Sequence, residues 1–248
     1  MPKIYAVAGL SGSGKTKVAD ALVKHFQLQG KRCVKLSIDD YYRANPQPGT
    51  NFDDPASVEL ELFAEHLKAL KNDQAIEVPT YSFHKENRLA ETKPIIPDEH
   101  TIIIVEGIFA LNKELCDTNS YDSTIYVDTR SDECLARRLL RDETERGKPI
   151  KENLEYFMKN MLSNLHFIED TKKYADHVLC NSNPEDIEQL IEKIDPQTQQ
   201  SAEPAPLSAP VKGFFVPVSA RKNTEVPPES TVTTIGQTTL TGFGGSKN

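Results

Sequence analysis

The sequence predicts an α/β fold, a parallel sheet covered by helices on both faces, with ligands expected at the carboxyl ends of the strands. Three observations carry this. Short β-branched or apolar runs alternate with segments of helical spacing along residues 3–195. The first run leads through a glycine-rich turn directly into an amphipathic helix. The composition changes only once, after Asp195, which suits one domain followed by extra chain within 248 residues.

In chain order, Ile4–Ala8 reads as a strand ending at Gly9, and Lys17–Gln29 as a helix with Val18, Ala21, Leu22 and Phe26 on one stripe and Gly30 as its stop. Val34–Ser37, Thr101–Val105, Ile125–Val127 and Val178–Cys180 have the apolar character of strands buried on both faces. Ile76–Val78 reads as a small extra strand. Ser57–Leu70 is helical, with Leu60, Phe63, Leu67 and Leu70 facing one way. Asp132–Arg141, Leu154–Tyr174 and Pro184–Ile194 are further helices, the last opening on an N-terminal proline. Residues 196–248 hold seven of the sixteen prolines and five of the twelve glycines and read as a disordered tail.

The formal net charge is −8, and residues 1–195 carry −9 of it against +1 on the tail. A nucleic-acid-binding surface normally shows a basic stripe, so nucleic acid is excluded as a first expectation. The apolar runs, Ile102–Val105 among them, are too short to span a bilayer, and the N-terminus lacks the pattern of a secretory signal, so a cytoplasmic protein without a membrane partner is expected. Cys33, Cys116, Cys134 and Cys180 show neither zinc spacing nor a disulfide framework.

Gly9-Leu-Ser-Gly-Ser-Gly-Lys-Thr16 matches G-x-x-x-x-G-K-[ST] and sits between strand and helix, where that motif works. Gly9, Gly12 and Gly14, with Ser11 and Ser13 between them, let backbone N–H groups turn inward onto phosphate oxygens at a helix N-terminus. Lys15 is placed to reach the β- and γ-phosphates of ATP, and Thr16 to offer its hydroxyl to Mg²⁺. No D-x-x-G occurs, and Asn112-Lys113-Glu114-Leu115 lacks the aspartate of a guanine-reading loop, which disfavours a regulatory GTPase.

Asp39, at the end of the second strand in Leu36-Ser-Ile-Asp-Asp-Tyr-Tyr42, lies where an acceptor hydroxyl would sit and suits a base or positioning carboxylate. Glu106 ends the Ile102–Val105 strand where a Mg²⁺ partner is expected. In Arg137–Gly147, Arg138 and Arg141 are three residues apart on a helix and share a face, so both guanidiniums are expected to converge on transferring phosphate as part of a lid.

Gly9–Thr16, Asp39, Asn51-Phe-Asp-Asp-Pro55, Pro79-Thr-Tyr-Ser-Phe83 through Arg88, Glu106-Gly-Ile108, Arg137–Gly147 and Thr171-Lys-Lys-Tyr-Ala-Asp176 together resemble the uridine/cytidine kinases of the phosphoribulokinase/uridine kinase superfamily, over residues 3–195. The resemblance implies a P-loop NTPase fold with a five-stranded parallel sheet, a β-hairpin insertion and an Arg-rich lid. It also implies ATP-dependent phosphorylation of a nucleoside 5′-hydroxyl in pyrimidine salvage, by a homo-oligomer, often a tetramer. By the same resemblance Asp39 takes the hydroxyl proton and Asp53 binds the ribose hydroxyls. Tyr81, Glu86 and Arg88 fall on the nucleoside side, Arg138, Arg141 and Arg146 contact phosphate, and Thr16 and Glu106 complete the Mg²⁺ shell.

The chain departs from the family pattern where the base should be read. Ser82 and Glu86 replace an Asp and a pyrimidine-binding His, His84 lies two residues earlier, Lys148 replaces a lid arginine, and Glu155 takes the place of a base-contacting Gln. Carboxylates at Glu86 and Glu155 would favour a donor-rich partner such as the cytosine amine. Two alternatives stand beside the nucleoside kinase: a related kinase acting on another alcohol, such as a phosphorylated sugar or pantothenate, and a non-catalytic ATP-binding regulator.

Overall fold

β1 (Lys3–Gly9) turns Ile4, Ala6 and Ala8 to one side and Tyr5 and Val7 to the other, and both sides are buried. Such a strand must lie mid-sheet. In the computed structural model, which describes residues 1–180 and 182–196, β1 is the central strand of five. The tail expected over 196–248 lies, apart from Pro196, outside the described residues.

The elements follow as α1 (Lys15–Leu28), β2 (Cys33–Ser37), a 3₁₀ turn (Ile38–Tyr41), α2 (Leu60–Lys71), β3 (Ile76–Ser82), β4 (Asn87–Ile95), β5 (Ile102–Glu106), α3 (Lys113–Cys116), β6 (Ser123–Asp128) and α4 (Ser131–Arg146). After these come α5 (Ile150–Tyr156), a π-helical segment (Phe157–Met161), α6 (Leu162–Asn164), α7 (His166–Glu169), β7 (His177–Cys180) and α8 (Pro184–Ile194). The sheet order is β2-β5-β1-β6-β7, every pair parallel. Parallel neighbours require crossovers, and the helices supply them on both faces. Val18, Ala19, Leu22 and Phe26 of α1 join Ile187 and Leu190 of α8 on one face. Phe63, Leu67 and Leu70 of α2 join Leu115 and Ile168 on the other. Each of these buried Val, Leu, Ile and Phe side chains contributes about 1.5–3 kcal/mol, so the layers are held by apolar burial.

Two expectations are corrected, and one is extended. β2 and β7 are sheet edges and only part-buried, whereas burial on both faces holds for β1, β5 and β6; an apolar run cannot report that its outer neighbour is missing. The extra strand at Ile76–Val78 is present within β3 and pairs with β4 as the antiparallel hairpin that the resemblance implied, with a register shift between Pro79 and Tyr81. The helix expected over Leu154–Tyr174 begins at Ile150 and is broken into α5, the π segment, α6 and α7. Among the described residues no helix is long and apolar enough to cross a membrane.

Candidate active site

The chain leaves β1 through Gly9 and folds into a tight loop closed by the Ser13 N–H, which donates to the Leu10 carbonyl at 2.9 Å. Gly12 and Gly14 take φ of +88° and +94°, in the left-handed region that disfavours side chains. A Cβ at Gly12 would meet the Cys134 carbonyl at 2.3 Å, and one at Gly14 the Ser182 hydroxyl at 2.1 Å, so neither position has room for a larger residue. α1 starts at Gly14 without a side-chain cap, leaving its first N–H groups and its positive end facing the cavity that Ser11, Lys15 and Thr16 line. These features fit a polyphosphate.

β5 and β2 end side by side, with Ser37 in register with Glu106. The Glu106 carboxylate, largely buried, accepts from the Ser37 hydroxyl at 3.0 Å and from the Thr16 hydroxyl at 3.3 Å. A hydroxyl and a carboxylate offered together match the hard-oxygen preference of Mg²⁺, which keeps waters and phosphate oxygens for its other positions. Among the described residues there is no cluster of three or more His, Cys, Asp or Glu able to hold a metal unaided.

Asp39 stands on the 3₁₀ turn immediately after β2, its N–H bonded to the Ser37 hydroxyl at 3.3 Å. Burial pushes its carboxyl up to about 6, and Glu106 adds to the shift, while Lys15, Arg146 and Arg141 oppose it. A carboxylate poised near neutrality is suited to accepting a proton.

P-loop, Glu106 and Asp39 open into one cavity of about 1150 Å³. Its opposite wall is aromatic. Tyr42 lies 5.4 Å from Phe52, 5.3 Å from Tyr81 and 6.3 Å from Phe83, and Tyr81 lies 5.5 Å from Phe83, all between ring centroids. The loop that follows the 3₁₀ turn supplies Tyr42 and Phe52 to this wall, and the hairpin supplies Tyr81 and Phe83. Tyr81 presents a buried hydroxyl without a partner among the described residues, and burial together with Glu86 raises it to about 12, so it remains a donor.

The lid arginines are divided. Arg138 is bound through both terminal nitrogens to Asp53, at 3.0 and 3.2 Å, with both side chains nearly inaccessible. Helical spacing puts Arg138 and Arg141 on one face and both line the cavity, but Arg138 is held by Asp53, a buried carboxylate from another loop. Arg141 reaches the Ser11 hydroxyl of the P-loop at 3.4 Å. Arg146 lies 4.1 Å over the Phe83 ring, a cation–π contact that joins lid to hairpin.

Several sequence-selected residues fall elsewhere. Arg88, in register with Tyr81, lies outside the cavity lining and pairs with Glu59 at 2.6 Å. His84 is exposed in the hairpin turn and lines nothing. Glu155 faces solvent beside Lys151, and α5 instead turns Glu152, Asn153 and Tyr156 to the cavity. Glu86 does line it, paired with Lys148. Sequence reasoning missed Ser37, Asp142, Asn153 and Tyr156. Ser37 lies unremarked in the Asp39 motif and Asp142 in the Arg137–Gly147 segment, while Asn153 and Tyr156 carry no motif and are recognised only by what they touch.

A family model described as "Phosphoribulokinase / Uridine kinase family" matches residues 4–188. A uridine kinase of Staphylococcus haemolyticus is 41% identical over 185 residues, covering 71% of this chain and 86% of that protein. One from Staphylococcus aureus is 40% identical with the same coverage. Among solved structures, a putative fructose transport system kinase from Silicibacter superposes with a TM-score of 0.61 at 21% identity, covering 71% of this chain and 89% of that one. The phosphoribulokinase of Rhodobacter spheroides gives 0.53 at 17%, covering 73% of each. The structural likenesses establish the fold, a P-loop kinase α/β sheet, and the sequence matches go further: this chain is a phosphotransferase that belongs to the phosphoribulokinase/uridine kinase family.

Proposed function

We propose that this protein transfers the γ-phosphoryl group of ATP to the 5′-hydroxyl of a pyrimidine nucleoside, uridine or cytidine. The observation that carries the reading is one cavity with the P-loop and Asp39 at one end and the Tyr42, Phe52, Tyr81 and Phe83 rings at the other. A flat base has π faces that stack on aromatic rings, and a phosphorylated sugar or pantothenate has none. The relatives named uridine kinase support the same substrate class.

In this reading the P-loop N–H groups and Lys15 bind the phosphates. Arg141 and Arg146 offset the charge that spreads over the transferring group, and the rings hold the base so that the ribose hydroxyl falls beside Asp39. Asp39 accepts the hydroxyl proton as the oxygen attacks phosphorus and ADP leaves. Tyr81 offers its free O–H to the nucleoside, and Asp53, held by Arg138, faces the ribose. Thr16 and Glu106 would hold Mg²⁺, which would supply neutralisation of the phosphate charge. Residues 1–195 constitute the kinase domain in this proposal.

The homo-oligomeric, tetrameric reading rests on the family resemblance. Ile150, Leu154, Met158 and Leu162, exposed at four-residue spacing along α5 to α6, support it. The cytoplasmic placement is carried over from the sequence.

A coupled ADP-release assay with ATP and Mg²⁺ tests uridine, cytidine, adenosine, ribulose 5-phosphate and pantothenate side by side. Turnover confined to the pyrimidine nucleosides is expected, and a preference for either non-nucleoside acceptor would overturn the proposal.

A further inference from the structure

Asp142, one turn from Arg138 on α4, is buried to 2% exposure yet carries no role in any motif. Arg141 donates to its Oδ1 through Nη2 at 2.7 Å and Nε at 2.9 Å, and Arg146 Nη1 approaches the same oxygen at 3.4 Å. Its other oxygen accepts from Asn153 Nδ2 at 3.2 Å and faces Arg138 Nε at 3.6 Å. Three lid guanidiniums thus meet on one carboxylate.

Charge accounting gives this cluster a meaning. Arg138 is already neutralised by Asp53. Asp142 offsets the charge of the remaining two, with Asp39 across the cavity also acting on Arg146. Two guanidiniums on neighbouring turns repel one another, and Arg141, after desolvation, is the strongest influence depressing Arg146. Without a shared anion they would swing apart into solvent. With one, they stay converged at the place where phosphate charge develops.

We propose that Asp142 is a positioning residue for phosphoryl transfer: its buried carboxylate, steadied by Asn153, holds Arg141 and Arg146 together beside the phosphate loop. This rests on the phosphotransferase reading of the site. The carboxylate does not touch the reacting atoms and acts only through the two arginines, so its effect vanishes when they are absent.

The test is a double-mutant cycle in the full chain. Asp142→Asn, isosteric but uncharged, is expected to lower kcat about tenfold or more while the KM for ATP moves less than about threefold, because the P-loop still binds the ground state. Arg141→Ala alone costs about tenfold or more in kcat, and added to Asp142→Asn it costs less than about threefold further. Additive losses would overturn the proposal, as would an unchanged kcat in Asp142→Asn. Should Asp142→Asn fail to fold, Asn153→Ala releases the carboxylate without removing its charge; a smaller kcat loss, again sub-additive with Arg141→Ala, supports the proposal, and additivity overturns it. The same cycle run on the slow hydrolysis of ATP by water, without acceptor, separates the two readings. Coupling without turnover of any acceptor indicts the proposed function, and turnover without coupling indicts the role of Asp142.

Discussion

Lys148 Nζ lies 2.6 Å from Glu86 Oε1, so two positions where the chain departs from the nucleoside-kinase pattern are partners of one another. The pair joins the hairpin turn to the chain just beyond the lid helix, where Gly147, with φ +64°, turns the backbone out of α4. A carboxylate at Glu86 is thereby matched by a cation, and the donor-rich preference read from its charge alone is reduced. Because both side chains are roughly half-exposed, Lys148→Met should change stability by less than about 1 kcal/mol. Its effect is expected on the acceptor, raising KM by up to about fivefold with the KM for ATP unchanged. Exchanging the charges, Glu86→Lys with Lys148→Glu, should recover most of the loss, and steady-state kinetics on the three variants decides it.

Asp39 gives a pH-dependent prediction of defined sign. Its carboxyl is raised from 3.8 to about 6 in the fold, so its protonated form is the favoured one and the associated stability is present below pH 3.8 and lost as pH rises through 6. Asp39→Asn should therefore be more stable than the parent at pH 7, by on the order of 2 kcal/mol, with the difference gone near pH 4. Turnover should be abolished in the same variant. In the parent, kcat/KM should fall on the acid side with an apparent pKa near 6, since the base must be ionised. Urea melts at both pH values and a pH–rate profile check the two halves.

The aromatic wall predicts a split between substrates. Tyr81→Leu keeps bulk but removes a stacking ring and the free hydroxyl, so the acceptor KM should rise by a factor corresponding to about 1–3 kcal/mol. ATP binding, measured by titration without acceptor, should be unaffected, because no ring of the wall belongs to the P-loop.

Arg138→Lys tests the pairing that holds this arginine against Asp53. Lysine cannot make the two parallel bonds to Asp53, whose side chain is 4% exposed, and a buried carboxylate left half-paired costs about 2–4 kcal/mol. A lowered denaturation midpoint at unchanged denaturant dependence is the expected result. An unchanged midpoint would show that Asp53 finds other partners.

The sequence by itself determined the sheet and the phosphate half of the site. Gly9–Thr16 is a local device, whose glycines, lysine and threonine act through backbone they themselves shape, and Asp39 and Glu106 follow from strand ends that any α/β reading places beside it. Periodicity also located β1, β5 and α8 nearly to the residue, because a strand buried on both faces or a helix with one apolar stripe carries that pattern in its own residues. Tertiary structure alone decided which strands were edges, that Asp53 takes Arg138, that Asn153 of α5 steadies Asp142, and that Glu86 meets Lys148. The two ion pairs join groups 85 and 62 residues apart in the chain. A charge carries no mark of its partner until folding removes the water between them, and the buried carboxylate then goes to whichever guanidinium the packing of α4 has brought within reach.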